Sequence, residues 1–263
     1  MGGHELVLLH GQPGSGSDWQ QLAGLLPPEL HVVAPDRPGY GASREAAGGF
    51  ARGARVVVAE LDARNIERAV LVGHSYGGGV ALAAARLAPD RVAALVLLAS
   101  VGPSCLTGWD RLLAAPVAGE VCALAAWWLT PWLARARLTG IARRRRLPIA
   151  PDEHVNWQIW GNTQHENGPV WRTFLTEQRA LVSELDGLTA AVPGIRQPVL
   201  LLADPDDTLI PVRTTHQLAA MLPDARVQLL SQVGHHLPRR AAADIAAAVV
   251  QFLAALDSRP APA

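Results

Sequence analysis

The chain has 263 residues with 23 basic and 23 acidic side chains, every basic one being Arg. That length suits one domain with an insertion, or two small ones, and supports a sizeable core without disulfide staples. Balanced charge gives no electrostatic reason to expect a polyanion, so nucleic acid is not an expected partner. The two cysteines, Cys105 and Cys122, lack metal-ligand spacing, and neither H-E-x-x-H nor C-x-x-C occurs; two free thiols, no metal and no cofactor are expected.

In chain order, Glu5 to His10 reads as a strand, broken by the Gly- and Pro-rich His10-Gly11-Gln12-Pro13-Gly14. Trp19, Leu22 and Leu26 fall at helical spacing, predicting a helix over Asp18–Leu26 capped by Ser17 or Asp18. A strand over His31–Pro35 leads into the turn residues Asp36 to Ser43, and a helix is predicted over Gly53–Glu67. Ala69 to Val72 is a short β-rich run, and Val80 to Ala88 is rich in helix formers and stopped by Pro89. Val92 to Ala99 is apolar throughout, as a strand covered on both faces must be. After Ser100 the alternation stops until the strand at Val199–Ala203, the helix at Thr214–Leu222, the strand at Arg226–Ser231 and the helix at Ala241–Leu256. The expected fold is α/β: a doubly wound, mostly parallel sheet from residues 1–100 and 194–263, with a helical cap inserted at 101–193.

Between the third strand and its helix stands Gly73-His74-Ser75-Tyr76-Gly77, a G-x-S-x-G pattern. A strand turning straight into a helix needs glycine on both sides of the turn, and the residue between is forced outward at the helix N-terminus. A serine there has an exposed hydroxyl beside N–H groups that favour negative charge, as a nucleophile requires.

Five segments, His10-Gly11-Gln12-Pro13-Gly14, Asp36-Arg37-Pro38-Gly39-Tyr40-Gly41, Gly73 to Gly78, Asp207-Thr208-Leu209-Ile210-Pro211 and Gly234-His235, follow strands in the order typical of α/β-hydrolases, which this chain resembles over nearly its whole length. The resemblance implies a triad in the order Ser75, Asp207, His235. Serine needs a base, imidazole suits that task near neutrality, and a carboxylate on its far side fixes the tautomer. Asp204 and Asp206 compete with Asp207; Asp207 is preferred because similar hydrolases place the acid four positions before a proline, here Pro211. His235 is preferred over His236 because it follows Gly234 directly. By the same resemblance the oxyanion would be held by the backbone N–H groups of Gln12 and Tyr76, while His10, His74, Asp36 and Arg37 would support loops. Similar hydrolases carry two further strands before the one ending at His10; here either the sheet lacks them or the start lies upstream.

Seven of the eight tryptophans lie in 101–193, so a cap of Trp and Leu over the site implies a small to medium lipophilic substrate. His154, Asn156, Asn162 and His165 are its candidate orienting groups. The run Leu112–Leu133 contains Glu120, Pro116 and Pro131, which argues against a stable membrane insertion. No charged-then-apolar leader is present, so a cytoplasmic protein is expected. The expected activity is carboxylic-ester hydrolysis through an acyl-enzyme, with cleavage of a C–C, thioester or amide bond as alternatives, and a ligand-binding receptor on the same scaffold as the non-enzymatic one. Ser75 argues against dehalogenases and epoxide hydrolases of this fold, whose nucleophile is a carboxylate.

Overall fold

The computed structural model describes residues 4–125, 129 and 170–258. Six strands form one sheet in the order β2-β1-β3-β4-β5-β6, and every pair is parallel. They are β1 (Glu5–Leu9), β2 (His31–Val33), β3 (Ala69–His74), β4 (Val92–Leu98), β5 (Val199–Ala203) and β6 (Ala225–Leu229). All of β3 and β5, and all of β4 except Ala93, is buried, which is why these runs read as continuously apolar instead of alternating.

Helices cover both faces. Against one face pack α2 (Phe50–Ala63), α3 (Tyr76–Leu87), α5 (Val170–Ala191) and α6 (Val212–Met221), with Phe50, Leu82, Leu185 and Leu218 in their core. Against the other lie α1 (Gln20–Ala23), α7 (Leu237–Arg240) and α8 (Ala242–Asp257), with Trp19, Leu22, Ile245 and Phe252. α4 (Gly108–Ala114) opens the segment after β4 and packs on α5. No helix among the described residues is long and apolar enough to cross a membrane.

The strand and long-helix expectations agree with the structure to within a few residues, and two differences have clear causes. The single helix expected over Asp18–Leu26 is a 3-10 turn, Gly16–Trp19, followed by the one-turn α1. Its cap is Ser15, not Ser17 or Asp18: Asp18 sits at the third helical position and closes a capping box with Ser15. Trp19, Leu22 and Leu26 are nonetheless all buried, so the apolar spacing reported burial correctly and helix length incorrectly. α2 starts at Phe50 and ends at Ala63 rather than spanning Gly53–Glu67; Asn65 has φ 56°, a left-handed residue that ends a helix.

The cysteines are free thiols. The expectations for Trp127, Trp128, Trp132, Trp157, Trp160, His154, Asn156, Asn162 and His165 lie outside the described residues.

Candidate active site

Ser75 has φ 53° and ψ −119°, a conformation that costs a non-glycine residue energy and survives only where its surroundings enforce it. Those surroundings are backbone. A Cβ on Gly73 would sit 2.5 Å from the Gly77 carbonyl oxygen, and one on Gly77 would sit 2.2 Å from the Leu9 carbonyl oxygen. Only glycine permits this closure of β3, α3 and β1. The Ser75 N–H is held by Leu98 O at 2.9 Å, and Ser75 O accepts from Gly78 N and Val101 N. The hydroxyl is thus fixed between β3 and β4 at the sheet's carboxyl edge.

The loop after β5 supplies Asp207 and the loop after β6 supplies His235. Asp207 Oδ2 lies 2.8 Å from His235 Nδ1, and His235 Nε2 lies 3.1 Å from Ser75 Oγ. A carboxylate only accepts, so Nδ1 carries the proton and Nε2 is free to accept from the serine hydroxyl. Asp207 Oδ1 takes the Leu209 and Ile210 N–H groups at 2.8 and 3.0 Å. Burial works against the Asp207 carboxylate, but the His235 ring and these two N–H groups hold its pKa below the ordinary value. The structure therefore brings Ser75, Asp207 and His235 into one hydrogen-bonded line.

Asp204, the competing acid, has a different position. It is fully buried; Oδ2 accepts from Val233 N and, at 2.7 Å, from Gly234 N, while Oδ1 accepts from Asp206 N at 2.8 Å. Burial disfavours its charge, yet three backbone donors keep its pKa lowered. It fastens the loop that carries His235. Gly234 has φ 66°, a left-handed turn suited to glycine, so the Gly-His pair is set by backbone conformation. His74 Nε2–H donates to the His235 carbonyl at 2.8 Å; burial, then the neighbouring His235, lowers His74 to about 3 and keeps it neutral.

Gln12 and Tyr76 both line the cavity beside Ser75. Tyr76 opens α3, so its N–H has no acceptor in the preceding helical turn. The loop bearing Gln12 is gripped from below. Arg37 Nε donates to His10 O at 2.7 Å, Nη2 to Gly11 O at 2.8 Å, and the Arg37 N–H donates to His10 Nε2 at 2.9 Å. His10 Nδ1–H in turn donates to Gly11 O at 2.9 Å, so His10 is a neutral imidazole; burial and the adjacent Arg37 hold its pKa well down. Asp36 bridges two loops, accepting from Gly16 N and Ala42 N at 2.7 Å each. His10, Asp36 and Arg37, like His74, support loops.

Sequence reasoning missed Glu177. Arg37 pairs with it through both carboxylate oxygens, the Tyr40 hydroxyl donates to Oε2 at 2.7 Å, and Arg37 and Glu177 are 3% and 1% exposed. Glu177 lies on α5 between the cavity-lining residues Phe174, Gln178 and Leu181. An acid on the inward stripe of an amphipathic helix was the available signal. Gln12 Nε2 also donates to Phe174 O at 2.8 Å, tying the same loop to the same helix.

The cavity over Ser75 measures about 500 Å³ and includes Val101, Cys105, Leu106, Leu113, Leu181 and Ile210 in its walls, an apolar chamber of a size that fits a small molecule. His236 is part of its wall. Arg239 is the one basic residue lining it among the described residues, and it is paired with Asp18.

A parallel α/β sheet with a serine on a strained strand-to-helix turn defines a hydrolase of the α/β type. The chain belongs to the alpha/beta hydrolase family, whose model matches residues 6–248. It is 32% identical to the 2-hydroxymuconate semialdehyde hydrolase of Pseudomonas sp. (strain CF600), over 97% of this chain and 89% of that protein. It is 30% identical to the pimeloyl-[acyl-carrier protein] methyl ester esterase of Aromatoleum aromaticum, over 88% of this chain and 90% of that one. Among solved structures, a thermophilic esterase from Thermogutta terrifontis superposes with a TM-score of 0.74 at 21% identity, covering 97% of this chain and 90% of the other. This last likeness concerns the fold.

Proposed function

We propose that this hydrolase cleaves carboxylic esters of small to medium lipophilic acids through an acyl-enzyme. The observation that carries the proposal is the Ser75–His235–Asp207 line at the floor of a largely apolar cavity. Ser75 Oγ attacks the carbonyl carbon as its proton passes to His235 Nε2. Asp207 holds the ring in the required tautomer and stabilises the imidazolium. The Gln12 and Tyr76 N–H groups receive the developing oxyanion. Collapse breaks the C–O bond, and His235 returns the proton to the leaving alcohol; water, deprotonated by His235, then releases the acid. Helices α4 and α5, which supply cavity walls, are assigned to the cap. No cofactor or macromolecular partner enters this scheme.

Carbon–carbon cleavage is the second reading, favoured by the likeness to the semialdehyde hydrolase. Such a substrate carries a carboxylate, and the only basic lining side chain among the described residues is already neutralised by Asp18, which supports the ester reading. Stopped-flow hydrolysis of p-nitrophenyl butyrate tests it: a burst of one p-nitrophenol per chain, lost in Ser75→Ala, is expected. A folded protein that gives no burst and no turnover with esters, yet cleaves a 2-hydroxy-6-oxo-dienoic acid, would overturn the ester reading.

A further inference from the structure

Resting on the ester reading, we infer that the cavity is divided into an apolar acyl side and a neutral, polar leaving-group side, so that the preferred alcohol carries a hydroxyl of its own. The division follows the sheet. Val101, Cys105, Leu181 and Ile210 belong to the core on one face, and each also lines the cavity; Thr107, Asp110 and Gln178, which line it too, are already hydrogen-bonded to one another. Val233 and Leu237 bracket His235 and belong to the core on the opposite face, with Trp19. The cavity wall on that side is Asp18, His236, Pro238 and Arg239, next in sequence to those core residues.

Chemistry decides which half of the ester faces which wall. His235 must deliver its proton to the leaving oxygen, so the alcohol lies against the His235 ring and the acyl group extends away from it. The alcohol therefore meets Asp18, His236 and Arg239. The Arg239 Nη2–H group donates to Asp18 Oδ1, and the two side chains are only 26% and 13% exposed. That pair cancels its own charge. A guanidinium has five N–H donors, of which one is used here. His236 is held neutral by burial, and then by its neighbours His235, Arg240 and Arg239. The wall thus offers donors and acceptors without net charge. A hydroxyl satisfies it; a methyl leaves those groups unpaired, and a carboxylate meets a cation already neutralised.

Two esters of equal size separate these cases: 2-hydroxyethyl butyrate and n-propyl butyrate, differing by a terminal hydroxyl against a methyl, with butyryloxyacetate as the anionic member. Corrected for alkaline hydrolysis rates, kcat/KM of the wild type favours the hydroxyethyl ester over propyl by about tenfold, the worth of one well-placed hydrogen bond to a charged donor. Arg239→Met, which keeps the apolar stem, brings that ratio close to one. Asp18→Asn leaves the Arg239 charge uncompensated, so it raises kcat/KM on butyryloxyacetate relative to the propyl ester, and it serves if the Arg239 variant unfolds by circular dichroism. All three esters form the same butyryl-enzyme, so any difference among them arises in binding and acylation, while the alcohol is still present. Equal wild-type rates on hydroxyethyl and propyl esters overturn the inference. So does a preference for the anionic ester, or an equal loss on every ester in both variants, which would make the pair a loop tie only. A wild type that gives neither a p-nitrophenol burst nor turnover of any ester is a different failure, that of the ester reading itself.

Discussion

Replacing Glu177 by glutamine removes one charge from a site with no solvent to compensate. Arg37 and Glu177 are 3% and 1% exposed, and the carboxylate also accepts from Tyr40 at 2.7 Å. Breaking a buried ion pair by neutralising one member strands the other, which costs about 3–5 kcal/mol. At about 2–4 °C per kcal/mol for a chain of this size, the melting temperature should fall by roughly 6–20 °C. Stability is one consequence and geometry the other. Arg37 also holds the His10 and Gly11 carbonyls, at 2.7 and 2.8 Å, and these immediately precede the Gln12 amide. A complete oxyanion donor is worth ~10²–10³ in rate, so a displaced one should cost roughly tenfold in kcat with KM unchanged. Urea denaturation and steady-state kinetics well below the melting temperature read the two effects separately. Arg37→Met/Glu177→Met should recover part of that stability, because an apolar pair replaces a buried ionic one although the Tyr40 hydroxyl loses its acceptor, without recovering kcat, because the two carbonyls lose the Arg37 donor. A glutamine variant within about 1 kcal/mol of wild type would refute the reasoning. So would a double variant with normal kcat.

Three further outcomes are expected. Asp207→Asn should lower kcat by on the order of 10³–10⁴ with little change in KM, since the ring loses its tautomer control; progress curves against an ester series check this. Asp204→Ala strands the Asp206, Val233 and Gly234 N–H groups at about 1–3 kcal/mol each, so the urea midpoint should drop sharply and kcat should fall as the His235 loop loosens. His74 titrates near 3 in the fold against 6.5 when free, so on acidification the unfolded chain takes up a proton that the folded one refuses. Stability is then full above pH 6.5 and declines toward pH 3, by on the order of 4–5 kcal/mol from this residue. His74→Asn should flatten that decline in chemical denaturation measured across the range, and an unchanged slope would contradict it.

Much of this was legible in the sequence because local and global signals agreed. The β3–turn–α3 unit needs an apolar run, glycines on both sides of one serine and a helix-forming tail, and each is readable alone. The relay is legible only as three loops in order; that His235 meets Ser75 on one nitrogen and Asp207 on the other is a property of the fold. What escaped has a physical reason. Trp19, Leu22 and Leu26 carry a helical period although the chain makes only two short turns, because burial sets the period and closing the Ser15–Asp18 box sets the length. Glu177 reads as one polar position on α5, since its value comes from Arg37, 140 residues away. In the sequence Asp204 competes with Asp207 as a triad acid, and nothing local distinguishes a carboxylate aimed at an imidazole from one aimed at backbone N–H groups.

The proposed chemistry requires an activated hydroxyl at one residue. Intact-mass and peptide analysis after brief exposure to a fluorophosphonate measures that most directly. One stoichiometric adduct is expected, on Ser75, absent in Ser75→Ala and formed far more slowly in His235→Ala. A folded protein that remains unmodified, or that carries its adduct on another residue, would contradict it.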